Sequence, residues 1–186
     1  MSNSKKFIIW FIIFGLLVLL FAWYVGFFYK IEITEREMGP YYVVYEGYEG
    51  PYQDTGKIQE KIYQKLLLEE EIRTYKGFGI YYDDPQKVVK DKLRSDTGCI
   101  LEDGSVERIH ELQNKQYQLK KIDKKNSLVV EFPFKNRVSI MAGVFRVYPR
   151  INEYMSEKGY GEVPMMEIYD VLNKKIIYIA EIKTGN

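Results

Sequence analysis

The chain changes character near residue 30. Residues 7–28 form an unbroken run of 22 uncharged, mostly apolar side chains, and beyond them apolar positions recur at short periods among charged residues. As a helix, such a run extends about 33 Å at about 1.5 Å per residue, enough to cross a hydrocarbon core of about 30 Å once. Trp10, Trp23, Tyr24 and Tyr29 sit toward its ends, where amphipathic rings favour the headgroup layer, and Lys5, Lys6 and Lys30 bracket it. A cleaved signal peptide requires a shorter apolar stretch and a small-residue exit, whereas Phe21, Trp23, Tyr24 and Phe27 are bulky. The pattern predicts an uncleaved single-pass anchor over residues 1–30 and a connector over 31–40. Lys5 and Lys6 face Lys30 and Arg36 across the span, so the charges lean only slightly toward an inside N-terminus and leave the side of the soluble part unresolved.

The remainder reads as strands and helices in a repeated order. Tyr41 to Glu46 is aromatic and β-branched, as a pleated strand requires, with Gly47, Gly50 and Pro51 ending it. Ile58, Ile62 and Leu66 then recur at helical spacing, predicting a helix from Thr55 to Glu70 with Asp54 or Thr55 as its cap. Strands follow at 77–82, stopped by Asp83-Asp84-Pro85, and at 93–101. The second half repeats β-α-β-β: a strand at 128–132, a helix at 138–158 carried by Ile140, Val144, Val147, Ile151 and Met155, and strands at 165–170 and 176–180. Pro149 predicts a kink or restart in that helix, and Gly159 its C-terminal cap. Setting Val44 on Val130 and Ile80-Tyr81 on Ile168-Tyr169 keeps the halves in register at a separation of about 86–88 residues. The expected fold is α+β: a transmembrane helix, then a duplicated β-α-β-β domain with antiparallel sheet over 41–186, its modules at 41–101 and 128–182. Residues 102–127 are a polar crossover with a short strand at 117–119.

Composition narrows the function. All 26 acidic residues and all but two of the 27 Lys and Arg follow the span, so the soluble part is near neutral and shows no nucleic-acid footprint. Lys120, Lys121, Lys124 and Lys125 cluster, but Asp123 interrupts them and the segment reads as a solvated turn. The single cysteine, Cys99, excludes an internal disulfide and reads as a buried small hydrophobe. The single histidine, His110, on a polar segment, reads as solvated. No Ser/His/Asp set, phosphate loop or metal-ligand cluster is present, so neither cofactor nor metal is expected.

Period-two alternation divides the paired strands into faces. Met166 and Ile168, with Phe78 and Ile80, are expected under the helices. Met165, Glu167 and Tyr169, with Gly79 and Tyr81, then share the opposite face, a partly apolar cleft at the seam between modules. Burial among Met165 and Tyr169 would raise the Glu167 pKa or make the carboxylate attract a cation; the competing reading is an ordinary surface acid. Tyr52, Tyr81 and Tyr169 are the seam tyrosines, able to hold lipophilic cations against their ring faces.

The segments Gly79-Ile80-Tyr81-Tyr82-Asp83-Asp84-Pro85, Leu93-Arg94-Ser95-Asp96-Thr97-Gly98 and Glu167-Ile168-Tyr169, in this order, resemble those of the GyrI-like effector-binding domains. The resemblance covers about 41–182. It implies two modules facing across a small-molecule cleft, with the acid of the Glu-Ile-Tyr segment, here Glu167, inside it. Residues 50–56 and 81–85 are similar to those of a membrane-anchored member whose long disordered tail this chain lacks, so that tail's role does not carry over. Many members are fused to a DNA-binding module where this chain has its anchor, and no nucleic-acid partner is expected. Some relatives hydrolyse electrophiles, but both tryptophans here lie in the anchor, leaving none for an aromatic cage.

The sequence reading is therefore a single-pass protein, in the bilayer through residues 7–28, that captures a lipophilic small molecule, cations being the first class to test. Glu167 supplies charge or a hydrogen bond, with Tyr52, Tyr81, Tyr169 and Met165 as lining. The alternatives are a hydrolase using Glu167 to activate water, and a membrane adaptor whose cleft takes a protein partner.

Overall fold

The structure, a computed structural model, describes residues 3–183. The apolar run as far as Tyr24 lies in one helix, α1 (Asn3–Tyr24), long and apolar enough to cross a membrane, a property shared with signal sequences, and residues 25–28 leave the helix. The chain does not then become a free connector. Val25 is buried in the core of the following domain, Gly26 packs against Phe132 and Pro133, and residues 34–38 form a strand, β1 (Thr34–Met38).

Next come β2 (Tyr41–Glu49), α2 (Thr55–Glu69), β3 (Lys76–Tyr81), β4 (Arg94–Ile100), two short helices α3 (Asp103–Val106) and α4 (Ile109–Asn114), β5 (Leu119–Ile122), β6 (Lys125–Pro133), α5 (Arg137–Lys158), β7 (Met165–Asp170) and β8 (Lys175–Glu181). Both β-α-β-β sets form as the sequence predicts. β2 runs through Gly47, because its pairing with β4 continues to Glu49, and the crossover strand begins two residues later than expected. Pro149 sits within a continuous α5 and removes the N–H that would bond the Phe145 carbonyl, on an exposed part of the helix. Gly159 caps α5 in the left-handed region at φ 69°. Asn136 caps its start, its side-chain oxygen accepting from the Val138 and Ser139 amides at 2.9 and 3.1 Å. Neither expected cap of α2 forms: Asp54 pairs with Lys57, and the Thr55 hydroxyl donates to the Tyr52 carbonyl.

All eight strands join one antiparallel sheet in the order β1-β6-β8-β7-β3-β4-β2-β5. The central six read β6-β8-β7 and β3-β4-β2, each module's strands in mirrored order about the β3–β7 seam. α2 packs on β2, β3 and β4, and α5 on β6 and β8, so each helix covers its own module and the seam lies between them.

The face assignment made from the sequence is reversed. Met166, Ile168, Phe78 and Ile80 pack on the helix-free face with Val43, Val129 and Ile179. Met165 and Tyr169 lie in the cluster built on α5 with Val130, Val147 and Ile151. The alternation itself is correct. The reversal arises because β7 is buried at all six positions: the sheet curls until β2 and β6 residues meet, so the more apolar face closes on itself rather than under a helix. The core stripe of α5 is likewise Ser139, Ala142, Gly143, Val147, Ile151 and Met155, leaving Val144 outside it.

Candidate ligand-binding site

β7 places Glu167 at the middle of the seam, directly opposite Gly79 of β3, on the face between α2 and α5. The carboxylate is 2% exposed. Its Oε1 accepts from the Tyr148 hydroxyl of α5 and its Oε2 from the Tyr169 hydroxyl two residues along β7, both at 2.7 Å. Tyr81, at the end of β3, brings its hydroxyl to 3.0 Å from that of Tyr169 and 3.4 Å from that of Thr55, the first residue of α2. Gly79 makes this possible, since a Cβ there would lie 2.7 Å from the Tyr81 hydroxyl. Tyr52 closes the row, its ring 4.8 Å from that of Tyr81 and its hydroxyl donating to the Asp83 carbonyl at 2.9 Å.

No cationic side chain pairs with Glu167 among the described residues, and loss of water outweighs the two tyrosine bonds to raise its pKa above the ordinary carboxylate range. Burial, followed by the Glu167 charge, drives the Tyr81, Tyr148 and Tyr169 hydroxyls above their usual range. The bonding pattern accommodates either protonation state, because the Tyr81–Thr55 contact at 3.4 Å is longer than an ordinary hydroxyl bond. Four hydroxyls, those of Thr55, Tyr81, Tyr148 and Tyr169, serve five contacts when the Thr55–Tyr52 carbonyl bond at 2.8 Å is included. With Glu167 ionised, Tyr148 and Tyr169 donate to it, Tyr81 donates to Tyr169, Thr55 donates to the carbonyl, and the Tyr81–Thr55 contact has no proton. A proton on Glu167 donates to Tyr169 instead, and Tyr169, Tyr81 and Thr55 pass the pattern on until every contact holds one.

A second buried group stands behind this row. Tyr178 of β8 is fully buried, its ring 6.0 Å from that of Tyr148, and its hydroxyl has no hydrogen-bond partner among the described residues. Gly143 of α5 leaves room for that hydroxyl, which would lie 2.2 Å from a Cβ.

The GyrI-like small-molecule-binding domain family matches residues 31–182, nearly everything beyond the apolar helix. The chain belongs to this family. It is 29% identical over 132 residues to a mouse homologue of testis-expressed protein 264, covering 68% of this chain and 41% of that one. The chain spans about half the length or less of the curated relatives it matches. Among solved structures, the C-terminal domain of EcmrR superposes with a TM-score of 0.57 at 10% identity, covering 83% of this chain and 99% of that one. SAV2435 bound to tetraphenylphosphonium superposes at 0.51 with 12% identity, covering 83% and 94%.

Within this GyrI-like domain the structure brings Glu167, Tyr169, Tyr81 and Tyr52 into one connected row, and places Met165 on the same face, buried opposite Tyr81 in the β3–β7 register. The seam faces the helices, and tyrosines fill it where the sequence predicts an open cleft. Tyr148, Thr55 and Tyr178 are the members that sequence reasoning missed. Tyr148 follows Val147 of the α5 core, and its role depends on which face of β7 meets α5, which the sequence alone does not show. Cys99 is buried, its thiol pushed up to about 11 by loss of water, and His110 is exposed on α4.

Proposed function

We propose that this GyrI-like protein is held in a membrane by α1, as a single-pass anchor within residues 1–30, and captures a lipophilic cation between α2 and α5, with Glu167 as its counter-charge. The observation that carries the reading is a buried carboxylate held by tyrosine hydroxyls with no cationic partner among the described residues. Such a group is stable when neutral and strongly attracts a cation once ionised. Tyr52, Tyr81 and Tyr169 supply ring faces once they part, and Met165 an adaptable apolar contact. Entry of a ligand requires the tyrosine row to open, because its rings now occupy the ligand's place. SAV2435, whose fold this domain shares, was solved with tetraphenylphosphonium, a cation of this class. Uncleaved anchoring is supported by Val25 and Gly26, which pack into the domain immediately after α1.

The test is titration of the full chain in lipid nanodiscs with tetraphenylphosphonium by calorimetry. Saturable binding that Glu167→Gln weakens at least tenfold, a loss of about 1.4 kcal/mol, supports the reading. Equal binding by both proteins refutes it. Turnover of small electrophiles that vanishes in Glu167→Gln would move the assignment to a hydrolase using Glu167 as base.

A further inference from the structure

Two features outside the site fall on one side of the molecule. The first is the missing tether: α1 ends at Tyr24, and the very next residue, Val25, is buried among Leu128, Phe132 and Val147. Gly26 lies against Phe132 and Pro133, the Arg146 guanidinium donates to the Tyr29 carbonyl at 3.1 Å and stands over the Phe27 ring, and the Lys135 ammonium lies over the Tyr24 ring. The end of β6 and the first half of α5 thus abut the end of the apolar helix.

The second is an exposed apolar patch at that place. Val138, Met141 and Phe145 recur at i, i+3 and i+7 on the outward side of α5, 45%, 58% and 72% exposed. Val171 and Leu172, in the β7–β8 turn, are 59% and 63% exposed, and this turn meets the end of β6 through the Phe134 amide, which donates to the Lys174 carbonyl at 2.8 Å. Charge follows the same division. Between Glu131 and Glu153 the chain has no acidic residue but contains Lys135, Arg137, Arg146 and Arg150, and Arg137 and Lys174 have no carboxylate partner among the described residues. Outward apolar side chains flanked by basic residues, two of them, Arg137 and Lys174, without a carboxylate partner among the described residues, suit the boundary between acyl chains and anionic headgroups.

The geometry points to a second membrane contact: the N-terminal half of α5 and the β7–β8 turn rest in the surface of the bilayer that α1 crosses. The inference depends on α1 being a membrane anchor. It also orients the ligand site, because the stripe continues one turn from Met141 and Val144 to Tyr148, whose hydroxyl holds Glu167. The tyrosine row then opens beside the lipid rather than into bulk water.

The test uses the full chain in phosphatidylcholine vesicles with and without phosphatidylserine, in a Cys99→Ala background. An environment-sensitive fluorophore is placed at Phe145→Cys, Leu172→Cys or, as control, Gln64→Cys on exposed α2, and acyl-brominated lipid is the quencher. Trp10 and Trp23 report the anchor in the same samples. Quenching at 145 and 172 as strong as that of the tryptophans, with none at 64 and a larger effect with phosphatidylserine, supports the contact. Adding Met141→Glu with Phe145→Glu should abolish quenching at 172 while leaving the tryptophans quenched. Quenched tryptophans with unquenched 145 and 172 overturn the inference alone and leave the patch to a protein partner. Unquenched tryptophans overturn the anchor as well.

Discussion

Replacing Glu167 by glutamine should remove one component of the protein's pH-dependent stability, the one that burial of this carboxylate creates. Burial raises the folded-state pKa of Glu167 above its unfolded value, so between the two the folded protein binds more protons than the unfolded chain. Stability from this group is complete below the ordinary carboxylate range and declines as pH rises toward the raised value, by up to about 1.4 kcal/mol for each unit separating the two. Glutamine reproduces the protonated acid: its oxygen accepts from Tyr148, and its amide donates to Tyr169, which then donates to Tyr81, and Tyr81 to Thr55. Its second N–H lacks a partner, an offset of about 1 kcal/mol that does not vary with pH. The readout is therefore the slope of the difference between the two proteins. Thermal unfolding in micelles, followed by the near-ultraviolet signal of the tyrosines, should show wild type losing about 3–5 °C per pH unit relative to Glu167→Gln across that interval. A constant difference would mean that burial does not raise the Glu167 pKa in the folded protein, and the reasoning would be refuted.

Further outcomes follow from the same packing. Gly143→Ala should cost about 1–3 kcal/mol by chemical denaturation, because its Cβ meets the immobile Tyr178 hydroxyl at 2.2 Å. Tyr178→Phe, which removes a buried hydroxyl without a partner among the described residues, should be neutral or stabilising alone and should recover part of the Gly143→Ala loss in the double variant, the ring carbon at 3.0 Å retaining the rest. Gly98→Ala should prevent β2–β4 pairing, its Cβ falling 2.0 Å from the Val44 carbonyl oxygen, and yield a chain with no cooperative unfolding transition. The Cys99 thiol, buried and pushed up to about 11, should resist maleimide at neutral pH until the domain is unfolded. Tetraphenylphosphonium affinity should rise with pH up to the raised Glu167 pKa and then level off, since the cation displaces a proton, whereas that of Glu167→Gln should stay flat.

The order of elements was legible because period-two and 3.6-residue patterns are local properties of the chain, and the strands at 165–170 and the helix ending at Gly159 formed where those patterns placed them. Which face of β7 meets a helix was not legible. Met166 and Ile168 looked like helix-facing residues only because they are the more apolar set, and a curled sheet gives that set another place to hide. Glu167, Tyr169, Tyr81 and Tyr52 were recoverable because alternation fixes which side chains point together, whichever way the face turns. Tyr148 escaped because its helix was read through Ile140 and Val144, neighbours of the true core stripe. The strand within 31–40 was not legible because Thr34–Met38, charged at three of five positions, pairs as an edge strand through its backbone and gives no hydrophobic alternation to detect.

The pairing of Gly79 with Glu167 has a consequence for stoichiometry. The two residues lie 88 positions apart, the same separation as Tyr81 and Tyr169, and they face each other across the seam that relates the two modules. A site on such an axis would ordinarily offer a guest two equivalent poses. Here one half contributes a carboxylate and the other a bare backbone, so a cation captured as proposed would be held one way round, its charge toward the second module and its bulk over the first.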